Sequence, residues 1–314
     1  MRAVTSSQGS VFVGDHDEPA GTGELITVTS AGICGSDLHL IASGLSGVIL
    51  GHEFGGFTTD GTLVAVRPTG ECGSCPQCTS GFPHMCHQAA ASLHGTSING
   101  GLAEFVRVEP SRLVPVPAGT DPATVGLVEP LAVVVHGINR VPLISGMSAL
   151  VVGSGSIGLL TAAVLTDRGI NVNIVCRHPH QFAAAEKLGV NAVSKHATDY
   201  DLSFDAVCTQ ESLDMCFAAT RPRGSVVEYG MIWSSIQLKN QMMLKEISLV
   251  PSMFYTHNHE QNDFEDAVDM LVRHPELTTT LITHRFSLEE SVHAFAVAND
   301  RQAGAIKVHI FTHM

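Results

Sequence analysis

The sequence predicts an α/β chain built on an open, doubly wound parallel sheet. Three observations carry that prediction. Residues 149–152, ALVV, form a short apolar run that ends in GSGSIG (153–158), and a helical stretch begins near Ile157. The runs FDAVCT (204–209), GSVVEYGMI (224–232) and EISLVPSMF (246–254) follow, separated by helical stretches. Strand and helix in alternation are the pattern of a parallel sheet with helices on its faces. Finally, 44% hydrophobic and 15% charged residues over 314 positions suffice for one large core or two ordinary ones.

Seventeen basic against thirty acidic residues give a net charge of −13, which repels nucleic acid and anionic lipid. No nucleic-acid or membrane partner is therefore expected, and an anionic ligand needs a local site. The first residues, MRAVTSSQGSVFVGDHDEP, lack the apolar stretch of a signal peptide, so a cytoplasmic location is expected. Residues 141–166 carry no charge and are long enough to cross a bilayer. Pro142 and four glycines within them read instead as strand, turn and helix. A strand covered on both faces is expected to be this apolar.

Half of the eight cysteines fall in GECGSCPQCTSGFPHMC, residues 70–86. Cys72, Cys75, Cys78 and Cys86 have the spacing C-x2-C-x2-C-x7-C, and Gly73, Pro76 and Gly81 let the backbone loop. Four thiolates with no exchangeable position fit a closed, tetrahedral, structural zinc site. Disulfides suit a cytoplasmic chain poorly, and a redox pair needs only two cysteines. Upstream stand Cys34, in AGICGSDLH (31–39), and His52, in LGHEFGG (50–56). They are a thiolate and an imidazole, ligand types that zinc accepts. Asp37 is the candidate to orient His52, because a ligating imidazole usually donates its other N–H to a carboxylate. Read alone, Cys34 is equally a small core residue and His52 a histidine with a structural partner.

Taken in order, these stretches resemble the zinc-dependent medium-chain dehydrogenases, the family of alcohol, sorbitol and threonine dehydrogenases. GICGSDLH, GHEFGG and the four-cysteine lobe carry the resemblance, with GGLAEFVRV (100–108), VEPLAVVVHG (128–137) and VVGSGSIGLL (151–160). AAAEKLGVNAV (183–193) and the tail LITHRFSLEESVHAF…GAIKVHI extend it over essentially the whole chain. The resemblance implies a Rossmann cofactor domain and a β-rich GroES-like catalytic domain. It implies hydride transfer between an alcohol, or its aldehyde or ketone, and a nicotinamide cofactor. By position, Cys34 and His52 become ligands of a catalytic zinc, Glu129 of VEPLA becomes the third, and one position stays open. Glu53 becomes the neighbouring carboxylate, behind the metal or moving onto it. Ser36 and His39 fall on the family's proton relay: Ser36 takes the hydroxyl proton and passes it, through the cofactor ribose, to His39 and solvent. Without the resemblance, Glu129 is a solvated residue before Pro130, Ser36 a turn serine and His39 a surface imidazole.

In GSGSIG, Gly153 permits the tight turn, Gly155 lets a pyrophosphate approach the backbone and Gly158 lets helix and strand pack closely. The helix opening at Ile157 supplies a local positive field for phosphate. The next strand runs through NVNIVCRHPHQ (171–181). Where an acid normally binds the ribose 2′-hydroxyl stands Cys176, followed by Arg177, with His178 and His180 nearby. No carboxylate repels a 2′-phosphate there, and Arg177 offers it two parallel hydrogen bonds, so NADP(H) is expected. The alternative is NAD(H), with Arg177 merely stacked on adenine. Lys307, in AIKVHI, matches a basic family position that reaches the cofactor phosphates.

The motif order implies a zinc-bearing catalytic domain over 1–118, with its lobe at 70–87, a dinucleotide domain over 119–255, and a return to the catalytic domain over 256–314. PAGTDPATV marks the exit, DFEDAVDMLVRH (263–274) is an amphipathic helix, and substrate is expected between the domains. The segment FTTDGTLVAVRPT (57–69) and the loop from His39 to His52 are short for the family, which is expected to leave the zinc more accessible. Phe254 stands where polyol-oxidising relatives often carry arginine, which favours a less polar substrate. The implied partners are two zinc ions, a small alcohol, aldehyde or ketone, and further copies in a homodimer or homotetramer. The competing reading is a non-catalytic zinc- and dinucleotide-binding protein of the same fold, which the intact Cys34, Ser36, His39, His52 and Glu129 disfavour. A zinc-free reductase of the superfamily lacks these ligands and the lobe.

Overall fold

The computed structural model describes residues 1–258 and 260–312. They divide into two compact units, Met1–Pro130 with Thr256–Met314, and Leu131–Tyr255. The first unit opens with a hairpin of β1 (Arg2–Ser7) and β2 (Ser10–Asp15). β3 (Glu24–Gly32) leads into α1 (Gly35–Ala42), then β4 (Glu53–Phe57) and β5 (Leu63–Val66). The cysteine lobe holds the short helices α2 (Pro76–Thr79) and α3 (His87–Ala91), and β6 (Phe105–Val108) and β7 (Leu113–Pro115) follow. A 3-10 segment, Pro122–Leu127, runs into α4 (Val128–Asn139), within which the second unit begins.

That unit alternates β8 (Ser148–Val152), α5 (Ser156–Asp167), β9 (Asn171–Val175), α6 (Pro179–Lys187) and β10 (Asn191–Val193). It continues with β11 (Tyr200–Asp205), α7 (Gln210–Ala219), β12 (Thr220–Glu228), α8 (Asn240–Leu244) and β13 (Ser248–Pro251). The chain ends back in the first unit with α9 (Asp263–Arg273), α10 (Glu276–Leu281), β14 (Ile282–Ser287), α11 (Ser291–Asn299) and β15 (Lys307–Phe311).

The sheet of the first unit has the order β14-β15-β3-β4-β5-β7, with β6 also on β3. β3 is its hub, pairing antiparallel with β4, β6 and β15. Ile26, Val28, Leu50, Phe54, Leu102 and Ile310 fill the core beside it. Register matters more than composition here: Gly32 lies opposite both Glu53 on β4 and His309 on β15, so three strand ends converge on one spot. Near Val28 and Ser30 the β3–β4 register slips. There the Thr29 hydroxyl donates to the Pro122 carbonyl at 2.8 Å, and Gly126 N–H donates to the Ser30 hydroxyl at 3.3 Å. Those bonds hold the 3-10 segment on the first unit, so the passage between units comes at Pro130, later than residue 118.

The second unit is the doubly wound sheet, parallel throughout, in the order β10-β9-β8-β11-β12-β13. The uncharged run 141–166 resolves into β8, the glycine turn and α5, whose Leu159 to Leu165 are buried. Pro122–Asn139 is also apolar and long enough to span a bilayer, but most of it is buried in the protein.

Two acids sit inside this unit at strand ends. Asp205 and Glu228 are register partners on β11 and β12, and both are buried. Asp205 accepts N–H groups from Val207 at 2.9 Å and Cys208 at 3.0 Å and the Ser212 hydroxyl at 2.8 Å. Neither oxygen of Glu228 makes a hydrogen bond of normal geometry. Burial, and then the Asp205 charge, push the Glu228 carboxyl up to about 7. An acid raised by folding favours the native state in its neutral form, and that contribution fades as pH climbs from the unfolded value towards the folded one. Glu228→Gln is expected to unfold at higher urea than the parent at pH 8, the gap closing towards pH 4.5. A gap independent of pH contradicts the assignment.

Candidate active site

Cys34 is the N-cap of α1, and the first turn of that helix assembles one wall of the site. Cys34 N–H donates to Asp37 Oδ2 at 2.9 Å, so Asp37 caps the helix that carries the cysteine. The other oxygen of Asp37 lies 3.1 Å from His52 Nδ1. One carboxylate, fully buried, thus positions both the thiol and the imidazole. Burial works against a charge on His52, but Asp37 beside it raises the imidazole well above its ordinary value. Ser36 Oγ is 3.4 Å from His52 Nε2, on the opposite edge of the ring. His39 follows Ser36 by three residues on α1, hence on the same helix face, and is exposed.

Glu53 completes the group. Donor atoms of Cys34, His52 and Glu53 all lie within 4.8 Å of one another. A Cβ at residue 32 would meet Glu53 Oε2 at 2.1 Å, so only glycine leaves this carboxylate its place. Glu129, expected as the third donor, stands outside that set of three, although its charge is felt by His52, Glu53, Asp37 and Lys307. It is 7% exposed, not solvated, because Val128–Asn139 is a packed helix that opens with it, and burial pushes its carboxyl up to about 8. Of the metal-binding candidates here, His52, Glu53 and Glu129 are buried and Cys34 is half-buried.

Lys307, expected at the cofactor phosphates, is 3% exposed on β15, and its ammonium donates to both Glu53 oxygens, at 2.7 and 2.8 Å, and to the Ile33 carbonyl at 3.1 Å. The physical reason is burial: an ammonium in a core strand needs an anion within reach. Sequence reasoning missed this contact, although a lysine inside the apolar run AIKVHI was itself a sign of a buried partner. The cluster as a whole sets a thiol and three carboxyls against one lysine and one imidazole. This donor chemistry, soft and borderline together with an acid excess out of water, fits a divalent cation of the zinc type.

The four-cysteine lobe is a second such group. Cys72, Cys75, Cys78 and Cys86 bring their sulfurs within 4.8 Å of one another. Pro76 and Pro83 open short helical turns that fold the strip on itself. Backbone N–H groups point at the sulfurs, Cys75 to Cys72 at 3.3 Å and both Cys72 and Gln88 to Cys86 at 3.4 Å. Such bonds favour thiolates, and those from Ser74 and Cys75 hold Cys72 down to about 6.

In the second unit, α5 starts at Ser156 with Gly155 as its N-cap, one residue before Ile157. Gly153 has φ +97°, and a Cβ at Gly158 would meet the Gly153 carbonyl at 1.7 Å, whereas Gly155 faces open space. The turn therefore demands glycine at its two ends and leaves its middle free for a close ligand. Cys176 is buried with its thiol towards Ser154 of that turn. Arg177 is exposed, and its guanidinium lies 3.4 Å from Glu211.

Residues 22–118 match the family described as alcohol dehydrogenase GroES-like domain, and residues 156–273 the family described as zinc-binding dehydrogenase. Among characterised proteins, the chain is 27% identical to an L-idonate 5-dehydrogenase (NAD(P)(+)) of Escherichia coli over 90% of both chains. It is 28% identical to a sorbitol dehydrogenase of Halalkalibacterium halodurans over 92% of this chain and 94% of that one. A Sinorhizobium meliloti structure of the zinc-binding dehydrogenase type, solved with NADP bound, superposes with a TM-score of 0.87 at 25% identity over 99% of each chain.

The Lys307–Glu53 pair makes a direct prediction. Lys307→Met leaves a buried carboxylate without its cation and is expected to cost about 3–5 kcal/mol in urea unfolding. In Lys307→Met/Glu53→Gln, which removes both charges, most of that loss is expected to return; a double variant as unstable as the single one would show that the pair is not the cause.

Proposed function

Because the chain belongs to the zinc-dependent medium-chain dehydrogenase family, we propose that Cys34, His52 and a carboxylate from Glu53 or Glu129 hold a catalytic zinc. The protein is a zinc-dependent oxidoreductase that moves hydride between an alcohol, or its aldehyde or ketone, and a nicotinamide cofactor. The observation that carries the reading is the buried meeting of thiol, imidazole and carboxylate within 4.8 Å. When bound there, zinc acts as a Lewis acid that lowers the pKa of the alcohol hydroxyl.

The side chains of this unit divide the remaining work. Asp37 fixes the tautomer and direction of His52 while holding Cys34 at the helix start. Lys307 tethers Glu53 through both its oxygens, holding that carboxylate beside the donors. Ser36 accepts the hydroxyl proton, and His39, one turn along the same helix and exposed, releases it to solvent. Cys72, Cys75, Cys78 and Cys86 take a second, structural zinc, closed on all four sides.

Gly153, Gly155 and Gly158 receive the cofactor pyrophosphate at the start of α5. NADP(H) is favoured over NAD(H), since Cys176 replaces the usual acid and Arg177 is exposed beside it; its ion pair with Glu211 lies in solvent and is weak. Phe254 supports a less polar substrate than the polyol named for the sorbitol dehydrogenase relative. The edge strand β13 follows a segment that exposes Leu238, Met243 and Leu244, by 60%, 75% and 85%, and a homodimer or homotetramer formed at that edge covers them. All eight cysteines are free, in keeping with a reducing cytoplasm. A non-catalytic binding protein is disfavoured by the complete donor set and by the dehydrogenase activities of the relatives.

Metal analysis is expected to give two zinc ions per chain, with one remaining in Cys34→Ala. A single ion in both proteins sinks the catalytic site. Nicotinamide absorbance across polyols and apolar alcohols, read with both cofactors, is expected to show turnover with a lower KM for NADP+. Glu129→Ala is expected to lower kcat by about a thousandfold or more if that carboxylate reaches the metal in turnover; unchanged kcat would leave Glu53 as the ligand.

A further inference from the structure

α6 begins immediately after the end of β9, where the cofactor ribose is normally met, and its first turn is unusual. His178 is the N-cap in an extended conformation, with φ −119° and ψ 148°, and His180 follows in the first turn. The two imidazoles lie face to face, with centroids 5.5 Å apart and planes inclined by 6°. Both of the nearest main-chain donors are already engaged: Arg177 N–H and His178 N–H donate to Gln181 Oε1, at 2.9 and 3.1 Å. With those two donors engaged, the basic side chains at this turn that can meet a phosphate are Arg177, His178 and His180.

The charges around the imidazole pair are few. β10, which packs against α6, and β9 beside it carry no ionisable residue. Arg177 precedes the pair, Glu211 of α7 reaches Arg177 at 3.4 Å, and Glu186 and Lys187 lie at the far end of α6. Two stacked imidazoles repel each other when both are protonated. His180 is accordingly lowered, by partial burial first and by His178 second. The His180 imidazole thus resists a charge in the free protein, and a dianion placed over the stacked rings offsets both causes.

We propose that His178 and His180, beside Arg177, form a proton-linked receptor for the cofactor's 2′-phosphate, so that discrimination between phosphorylated and unphosphorylated dinucleotide rises as pH falls. This rests on the NADP(H) reading above and adds to it two residues and a pH dependence. Arg177 supplies a permanent charge, while the imidazoles supply one that is taken up with the ligand. The phosphate's own second ionisation, near pH 6, works in the opposite sense, so weakening of the discrimination above neutrality belongs to the protein.

The test is calorimetric binding of ADP-ribose and 2′-phospho-ADP-ribose to the zinc-loaded protein from pH 6 to pH 8.5. The affinity ratio between the two is expected to fall by about tenfold between pH 6.5 and pH 8.5, the change that one linked proton produces over part of its titration. In two buffers of different ionisation enthalpy at pH 7, the phosphorylated ligand is expected to take up more protons than the other. The variant His178→Gln/His180→Gln, both at exposed or half-exposed positions, is expected to lose the pH-dependent part of the ratio and the extra proton uptake, and Arg177→Ala to lower the ratio at every pH. A ratio above one that is flat with pH and unmoved in the double variant overturns the histidine role alone. A ratio near one throughout overturns it together with the NADP(H) reading.

Discussion

An excess of acid in a place that excludes water governs the first unit. Cys34, Asp37, Glu53 and Glu129 meet there, and the opposing groups are Lys307 and the His52 imidazole. Isolated charges of that kind are too costly to bury, and the geometry shows how each is accommodated. Asp37 accepts the Cys34 N–H with one oxygen and sets the other 3.1 Å from the His52 imidazole, and Glu53 accepts from an ammonium at both its oxygens. Glu129 is left with its carboxyl pushed up to about 8 by burial. A divalent cation is the natural complement to such a group, which links the folding energetics of the site to its chemistry.

The architecture of that unit follows from bringing these side chains together. They come from the first turn of α1, the start of β4, the start of α4 and β15, elements separated by up to about two hundred and seventy residues. β3 makes the convergence possible, because it pairs with both β4 and β15 and ends at Gly32 where their polar residues lie. Lacking a Cβ, Gly32 leaves room for the Glu53 carboxylate. Strand register therefore decides the chemistry: a slip of one residue on β4 or β15 would turn Glu53 or Lys307 to the opposite face.

The second unit solves a different problem with different means. It places an open glycine turn at the start of α5 and Arg177, His178 and His180 at the start of α6, where helix termini already favour negative charge. A local field of this sort lets a chain with a net charge of −13 hold an anionic dinucleotide. Glu228 shows the limit of that strategy, since burial and the Asp205 charge push this strand-end acid up to about 7.

Much was legible in the linear order of residues. The alternation of strands and helices, the glycine turn and the spacing of Cys72, Cys75, Cys78 and Cys86 are local features, set by turn chemistry and periodicity within a few residues. The proximity of Asp37 to Cys34 is likewise written within one helical turn. What tertiary structure alone decided are the long-range partners: Lys307 on Glu53, the meeting of Glu53 with Cys34 and His52 within 4.8 Å, and the 3-10 segment Pro122–Leu127 held on β3. Those outcomes depend on which strands pair and in which register, and on how deeply a charge is buried. A one-dimensional pattern records neither, because the energy that selects the partner arises only once distant segments have excluded water between them.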